Sequence, residues 1–305
     1  MNIKSGVQDV LRMATGAVAM LVMILLVLHF QKDRDPAAQL ALKNQRSELV
    51  TAMQLALVSA AEAEKSAVLA TTDEASQKFA DQARDATAAV EGKCSKLAEL
   101  LKSADDQTAL DSLAQFITSF AEFQRVDKEL LALAVQNTNL KAYSLAFGPA
   151  AATLKEMDSA LARVMADDVK VMRLADTARI AAWRLLTLIP PHIAEESDQK
   201  MDALETQMAA EDRKTHQSLN DLAALPILSG NADLQTAATR YARFNEIRAQ
   251  ILKLSRENTN VRSLAISLNP KRKIMLVCQA ALMALQQAIE AEPIAGLTYG
   301  IVRPR

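Results

Sequence analysis

The chain has 305 residues, 50% of them hydrophobic but only 4% aromatic, with 7 Gly and 8 Pro, a composition that favours long helices over sheets. Its 35 basic and 36 acidic side chains leave a net charge of −1 with both signs interspersed, which excludes the basic face that nucleic-acid binding needs. Cys94 and Cys278 have no partner at metal-ligand spacing, so a cysteine-based zinc site is excluded, and two small buried core residues are favoured over a disulfide.

The first element is an apolar run over residues 13–30, flanked by Lys4 and Arg12 before it and by Lys32, Asp33, Arg34 and Asp35 after it. A helix of that length just reaches across a hydrocarbon core of about 30 Å. The rival reading is a cleaved signal peptide, against which stand the length of the run and its bulky end at Leu28, His29 and Phe30. The expectation is a transmembrane anchor over 13–30 behind a cytoplasmic tail over 1–12, in the inner membrane of a bacterium. The flanking charges are nearly balanced, and the short tail places the bulk of the chain in the periplasm. No second run of 18 apolar residues is expected; the best later stretch is interrupted by Arg184.

Beyond the anchor, breakers and caps predict seven helices over about 36–70, 73–102, 106–147, 149–189, 191–225, 232–268 and 270–291. Pro149, Pro191 and Pro270 are read as first-turn residues of new helices. The fourth helix is expected to be long enough to close one module and open the next. A tail over 292–305 has no helical period and is expected to be flexible.

Sliding the sequence along itself by 121 positions lays residues 120–149 on 241–270 without a gap, with eight identities, among them Asn137-Thr138-Asn139 on Asn258-Thr259-Asn260 and Pro149 on Pro270. With the offset changed by one, 73–78 falls on 195–200. The expected architecture is therefore all-α, with the membrane helix followed by tandem antiparallel four-helix-bundle modules over 36–168 and 169–291.

In the repeated helix, Phe123, Val126, Leu130, Leu133, Asn137, Leu140, Ser144 and Phe147 alternate at spacings of three and four, as do Phe244, Ile247, Ile251, Leu254, Asn258, Val261, Ala265 and Leu268. Such rows predict buried seams. Each seam then carries one asparagine, which needs a partner because an unpaired buried amide costs about 1–3 kcal/mol. Asn137 and Asn258 are read foremost as interhelical hydrogen bonds that fix register. The alternative is that they line a polar ligand pocket with Thr138, Thr259 and Arg256.

The segment 251–265 resembles the third helix of the four-helix-bundle sensory module of methyl-accepting chemotaxis receptors, and 63–69 and 280–285 are similar to that family as well. The resemblance implies sensing of a small molecule or a periplasmic protein, a homodimer, and output through helix displacement. The chain departs from the family in lacking the HAMP-like linker, the methylated helices and the kinase-coupling hairpin after the bundle. A receptor or kinase partner would have to carry the output. The alternative reading is a structural spacer that holds an assembly at the membrane.

No catalytic pattern is present. His29, His192 and His216 are scattered and are read as interface, loop or surface residues, and Trp183 among Ala181, Ala182, Leu185 and Leu186 as core packing. No phosphate loop, nucleophile elbow, metal set or cofactor motif occurs, and the protein is not expected to be an enzyme.

Overall fold

The computed structural model describes residues 36–102, 106–164 and 168–294. The expected anchor over 13–30 and the tail over 1–12 lie outside the described residues.

Every regular element described is helical: α1 (Pro36–Leu69), α2 (Asp73–Lys102), α3 (Gln107–Ala134), α4 (Thr138–Leu145), a π turn (Ala146–Ala150), α5 (Ala151–Val164), α6 (Val169–Ala194), α7 (Asp198–Ala223), a 3-10 turn (Pro226–Leu228), α8 (Ala232–Glu257), α9 (Thr259–Ile266), a second π turn (Ser267–Lys271) and α10 (Arg272–Ala291). The duplication is visible in the backbone, because α4 and its π turn coincide at the 121-residue offset with α9 and its π turn.

Several starts follow from capping chemistry. The Thr72 hydroxyl accepts from Ala75 N at the head of α2, Asp106 Oδ1 from Ala109 N at α3, Asp168 from Lys170 N and Val171 N at α6, and Asn231 from Leu234 N at α8. Between α7 and α8 the chain turns at Gly230, whose φ of +73° suits a residue without Cβ. Nothing stands within 4 Å of where a Cβ would be, so Gly230→Ala meets only backbone strain. It is expected to lower stability by about 1 kcal/mol, read as a shift of the urea midpoint at unchanged m-value.

Three expectations about helices need correction. The predicted helix over 106–147 stops at Ala134, because Asn137 adopts φ 51° and ψ 37°, and the predicted helix over 232–268 breaks likewise at Asn258, with φ 53° and ψ 37°. A single left-handed residue rotates the following helix, so the predicted seams fail beyond it. Phe147 and Leu268 are 68% and 62% exposed, and the buried rows are Ala142, Ala146 and Ala150 in one copy and Ser263, Ser267 and Lys271 in the other.

Secondly, Pro149 and Pro270 begin no helix. Each sits inside a π turn, where the widened ladder accommodates a residue that lacks an N–H and crowds the preceding carbonyl. Pro190 and Pro191 likewise lie inside α6, and α7 begins only after Ser197. Thirdly, the predicted helix over 149–189 is two helices, α5 and α6, which pack against each other.

The described residues fall into two compact units, one within Met1–Ser59, Asp85–Glu122 and Ile274–Arg305, the other within Ala60–Arg84 and Phe123–Lys273. This division cuts across the expected modules 36–168 and 169–291.

In the first unit, Arg46 pairs with Glu292 at 2.8 Å, Lys43 Nζ donates to the Glu290 and Glu292 carbonyls, and Gln286 donates to Ser47 Oγ. Residue 292, expected in a flexible tail, is thus docked on α1, while 295–305 lie outside the described residues. Cys94 and Cys278 are both buried and neither is in a disulfide.

The second unit explains why the modules do not follow the chain. The last stretch of the first copy (α4, its π turn and α5) shares one core with α6, α7 and α8 of the second copy, through residues such as Leu154, Met157, Leu161, Leu185, Ile189, Phe244 and Ile251. Conversely, Ile266 of the second copy packs on Ala67, Val68, Ala80, Ala83, Leu130, Leu131 and Ala134 of the first. The two copies have exchanged their fourth helices.

One run of the described residues, within Ala232–Ala291, is long and apolar enough by composition to cross a membrane, with a window of mean hydropathy 1.4, where no second candidate was expected. In this fold its last helix, α10, buries Cys278, Leu282, Leu285 and Ile289 inside the protein.

Candidate functional site

The residues singled out by the repeat meet where the copies face each other. Asn137 and Asn258 turn the backbone so that α4 and α9 each start without a capping side chain of their own. Each helix is capped by the other. Thr138 N donates to Thr259 Oγ1 at 3.2 Å and Thr259 N to Thr138 Oγ1 at 3.1 Å; Asn139 N donates to Asn260 Oδ1 and Asn260 N to Asn139 Oδ1, both at 3.1 Å. Two orphan N–H groups per helix are thereby satisfied across a local pseudo-two-fold axis.

The amides extend the ladder. Asn139 Nδ2 donates to Asn258 Oδ1 at 2.7 Å and Asn260 Nδ2 to Asn137 Oδ1 at 3.0 Å. Outward, Asn137 Nδ2 donates to Asp73 Oδ1 and Asn258 Nδ2 to the Glu195 carbonyl, two positions matched by the second repeat offset. The hydrogen bond from Asn137, with Lys141 beside it, holds the Asp73 carboxyl below the usual carboxylate range. Asn137 is fully buried, and Thr138, Thr259 and Asn258 are at most 3% exposed, so a ligand reaches them only if the ladder opens. Asn139 and Asn260 belong to the same set; the duplicated triplet pointed to both, but their side chains fall off the predicted seam.

Arg256 is not part of the ladder. From the last turn of α8 it reaches α7, donating from Nε to Glu205 Oε1 at 2.8 Å and from Nη2 to Asp202 Oδ1 at 2.5 Å. This guanidinium, aided by His192, keeps the Glu205 carboxyl below its ordinary range. His192, expected at an interface, loop or surface, is fully buried next to Ile193, whose carbonyl accepts from Asn139 Nδ2 of the ladder. Its Nε2 lies 2.9 Å from Glu205 Oε1 and its Nδ1 2.8 Å from Ser255 Oγ, whose hydroxyl donates to the His192 carbonyl at 3.1 Å.

This serine, histidine and glutamate stand in hydrogen-bonded sequence, yet Ser255 and His192 have no exposed surface and the serine proton is directed at a carbonyl. The arrangement ties α6, α7 and α8 together and offers no reacting atom to a substrate.

A second polar cluster, invisible in the sequence pattern, lies where the π turn of the second copy meets α1 and α3. Lys271 Nζ is 2.5 Å from Asp127 Oδ1, 3.2 Å from the Phe123 carbonyl and 3.6 Å from Glu64 Oε2, and it sits 3.4 Å above the Phe123 ring. Ser267 Oγ donates to Glu64 Oε1 at 2.7 Å. The corresponding row in the first copy is apolar, Ala142, Ala146 and Ala150. Burial pushes the Lys271 ammonium below its ordinary value and the Glu64 carboxyl above its own.

Trp183 corrects another expectation. It is 37% exposed rather than core, and its indole N–H donates to Asp158, which Arg179 holds from two nitrogens. These residues line an open groove with Asp176, Ile180, Arg184 and Thr187, and most of the groove's charges are already paired with one another. Among the described residues, no group of His, Cys, Asp and Glu is placed to hold a metal ion.

No family model matches the chain, and no curated protein or solved structure matches it either.

Proposed function

We propose that this chain is a membrane-anchored sensory module of the chemoreceptor-like kind, whose duplicated bundle responds to a small-molecule or periplasmic-protein ligand outside the cytoplasm and whose output is carried by partner proteins. The observation that carries the reading is the interrupted helix repeated in both copies: a left-handed asparagine, an eight-residue helix and a π turn at matching positions. A rigid rod needs no such breaks, whereas interrupted hydrogen-bond ladders are found where helices shift and at functional sites. The exchanged fourth helices and reciprocal caps join the breaks, so a displacement in one copy is felt in the other. Anchoring over 13–30, an inner-membrane location and a homodimer belong to the same proposal.

A second reading, a structural spacer, is favoured by the ladder itself, whose polar groups satisfy one another and need no ligand. Fusions of alkaline phosphatase and of a cytoplasm-only fluorescent protein after Arg305 test the placement, with phosphatase activity and a dark fluorescent fusion as the expected result. Addition of amino acids, organic acids and other small metabolites to the full-length protein in detergent is then expected to raise its unfolding temperature for one chemical class. A fluorescent C-terminal fusion, or no shift with any class and no association with a receptor or kinase, leaves the spacer reading.

A further inference from the structure

The cluster at Glu64, Asp127 and Lys271 holds two carboxylates against one ammonium in a place that water does not reach, with exposures of 1%, 4% and 3%. Lys271 gives its short contact to Asp127, and Glu64 keeps only the Ser267 hydroxyl and the more distant ammonium. With all three ionised, the site carries one uncompensated buried negative charge, a costly arrangement in a packed interior. Among the described residues, no other lysine or arginine forms an ion pair with Glu64 or Asp127. On α2, Asp81 and Arg84 pair with each other at the surface, 57% and 48% exposed, and Arg262 of α9 and Arg272 of α10 are exposed. The matching row of the other π turn is alanine, with Ala150 at the position of Lys271.

The geometry points to Glu64 as a proton-binding site, where one proton taken from solvent neutralises the cluster and closes the contact between α1 of the first copy and the π turn of the second. The protonated carboxyl remains bonded to Ser267, and Lys271 remains paired with Asp127. Burial raises the Glu64 carboxyl above its value in the unfolded chain. A raised folded-state value means that the stabilisation is complete below the unfolded value and is lost as pH rises through the folded one. Between those two values the folding equilibrium constant falls by about tenfold per pH unit of rise. Acidification therefore tightens this junction, independently of which ligand the protein senses. Lys271 is shifted the opposite way, its ammonium held below the ordinary value first of all by burial.

The test is the urea midpoint of the full-length protein in detergent, followed from about pH 8 down to about pH 4.5, the ordinary value of a glutamate carboxyl. The wild type is expected to gain stability on acidification, while Glu64→Gln is expected to stay near the acid wild-type midpoint with the Glu64 contribution to the slope gone. Parallel slopes for the two proteins, or a wild type without a rise, would overturn the assignment. Should Glu64→Gln fail to fold, infrared spectra of wild type carrying isotopically labelled glutamate decide. A protonated-glutamate carbonyl band that fades over the same pH window supports the site, and its absence at acid pH refutes it.

Discussion

Replacing Asn258 with leucine is expected to destabilise the protein by about 3 kcal/mol, although the asparagine occupies what the sequence presents as an apolar seam. Two costs combine. A leucine held at φ 53° pays about 1–2 kcal/mol for a left-handed backbone, and the lost amide leaves the Glu195 carbonyl and Asn139 Nδ2 short of partners, about 1–3 kcal/mol more. Asn258→Gly separates the two, because glycine accepts the backbone and loses only the hydrogen bonds. Urea midpoints are expected in the order wild type, glycine, leucine. A leucine variant as stable as wild type would mean that the copies do not depend on the ladder. A double-mutant cycle on Thr138→Val and Thr259→Val measures the reciprocal cap directly, since each hydroxyl accepts the other residue's N–H.

The second large effect is expected at Lys271. Truncation to alanine, the residue at the matching position of the first copy, removes the cation that pairs with two buried carboxylates and is expected to cost about 3–5 kcal/mol. The loss is expected to be smaller at acid pH, where protonation discharges a carboxylate. Removing all three charges together, as Glu64→Leu, Asp127→Leu and Lys271→Met, is expected to recover most of the stability, because a buried ion cluster is replaceable by well-packed apolar groups more readily than it is halved. Thermal unfolding at two pH values distinguishes these outcomes. A single Lys271→Ala variant with the wild-type midpoint at neutral pH would show that the cluster is hydrated and unstrained.

How much of the site was legible follows from what each pattern encodes. The offset of 121 singled out Asn137, Thr138, Asn258 and Thr259; Thr138 and Thr259 meet and each asparagine bonds the last residue of the opposite triplet, but the period could not show that the two triplets face each other. Self-similarity records which positions are equivalent; a pseudo-two-fold contact depends on where the chain folds back. Arg256 was grouped with the asparagines for its nearness in sequence, and its side chain instead spans to Glu205 and Asp202 on α7. Lys271 was not singled out, and only the left-handed break at Asn258 and the π turn direct it inward while Arg272 and Lys273 stay exposed.

The sequence by itself determined the all-helical class, the breaks before Asp73, before Gln107 and before Ala232, the duplication, and the need of two repeated asparagines for partners. Those properties live in local propensity, capping chemistry and periodicity, which act over a few residues. Only the tertiary structure decided which helices share a core, that the copies exchange their fourth helices and cap each other, that Phe147 and Leu268 face outward while Lys271 and His192 face inward, and that Glu64 meets Lys271 from more than 200 positions away. The physical reason is a single backbone torsion. Asparagine adopts the left-handed conformation more readily than most residues and also fits a polar core layer, so its letter alone does not choose between a continuous seam and a break. The choice falls to the break because each freed N–H finds a hydroxyl or amide of the opposite copy, a partner that exists only once the chain has folded back.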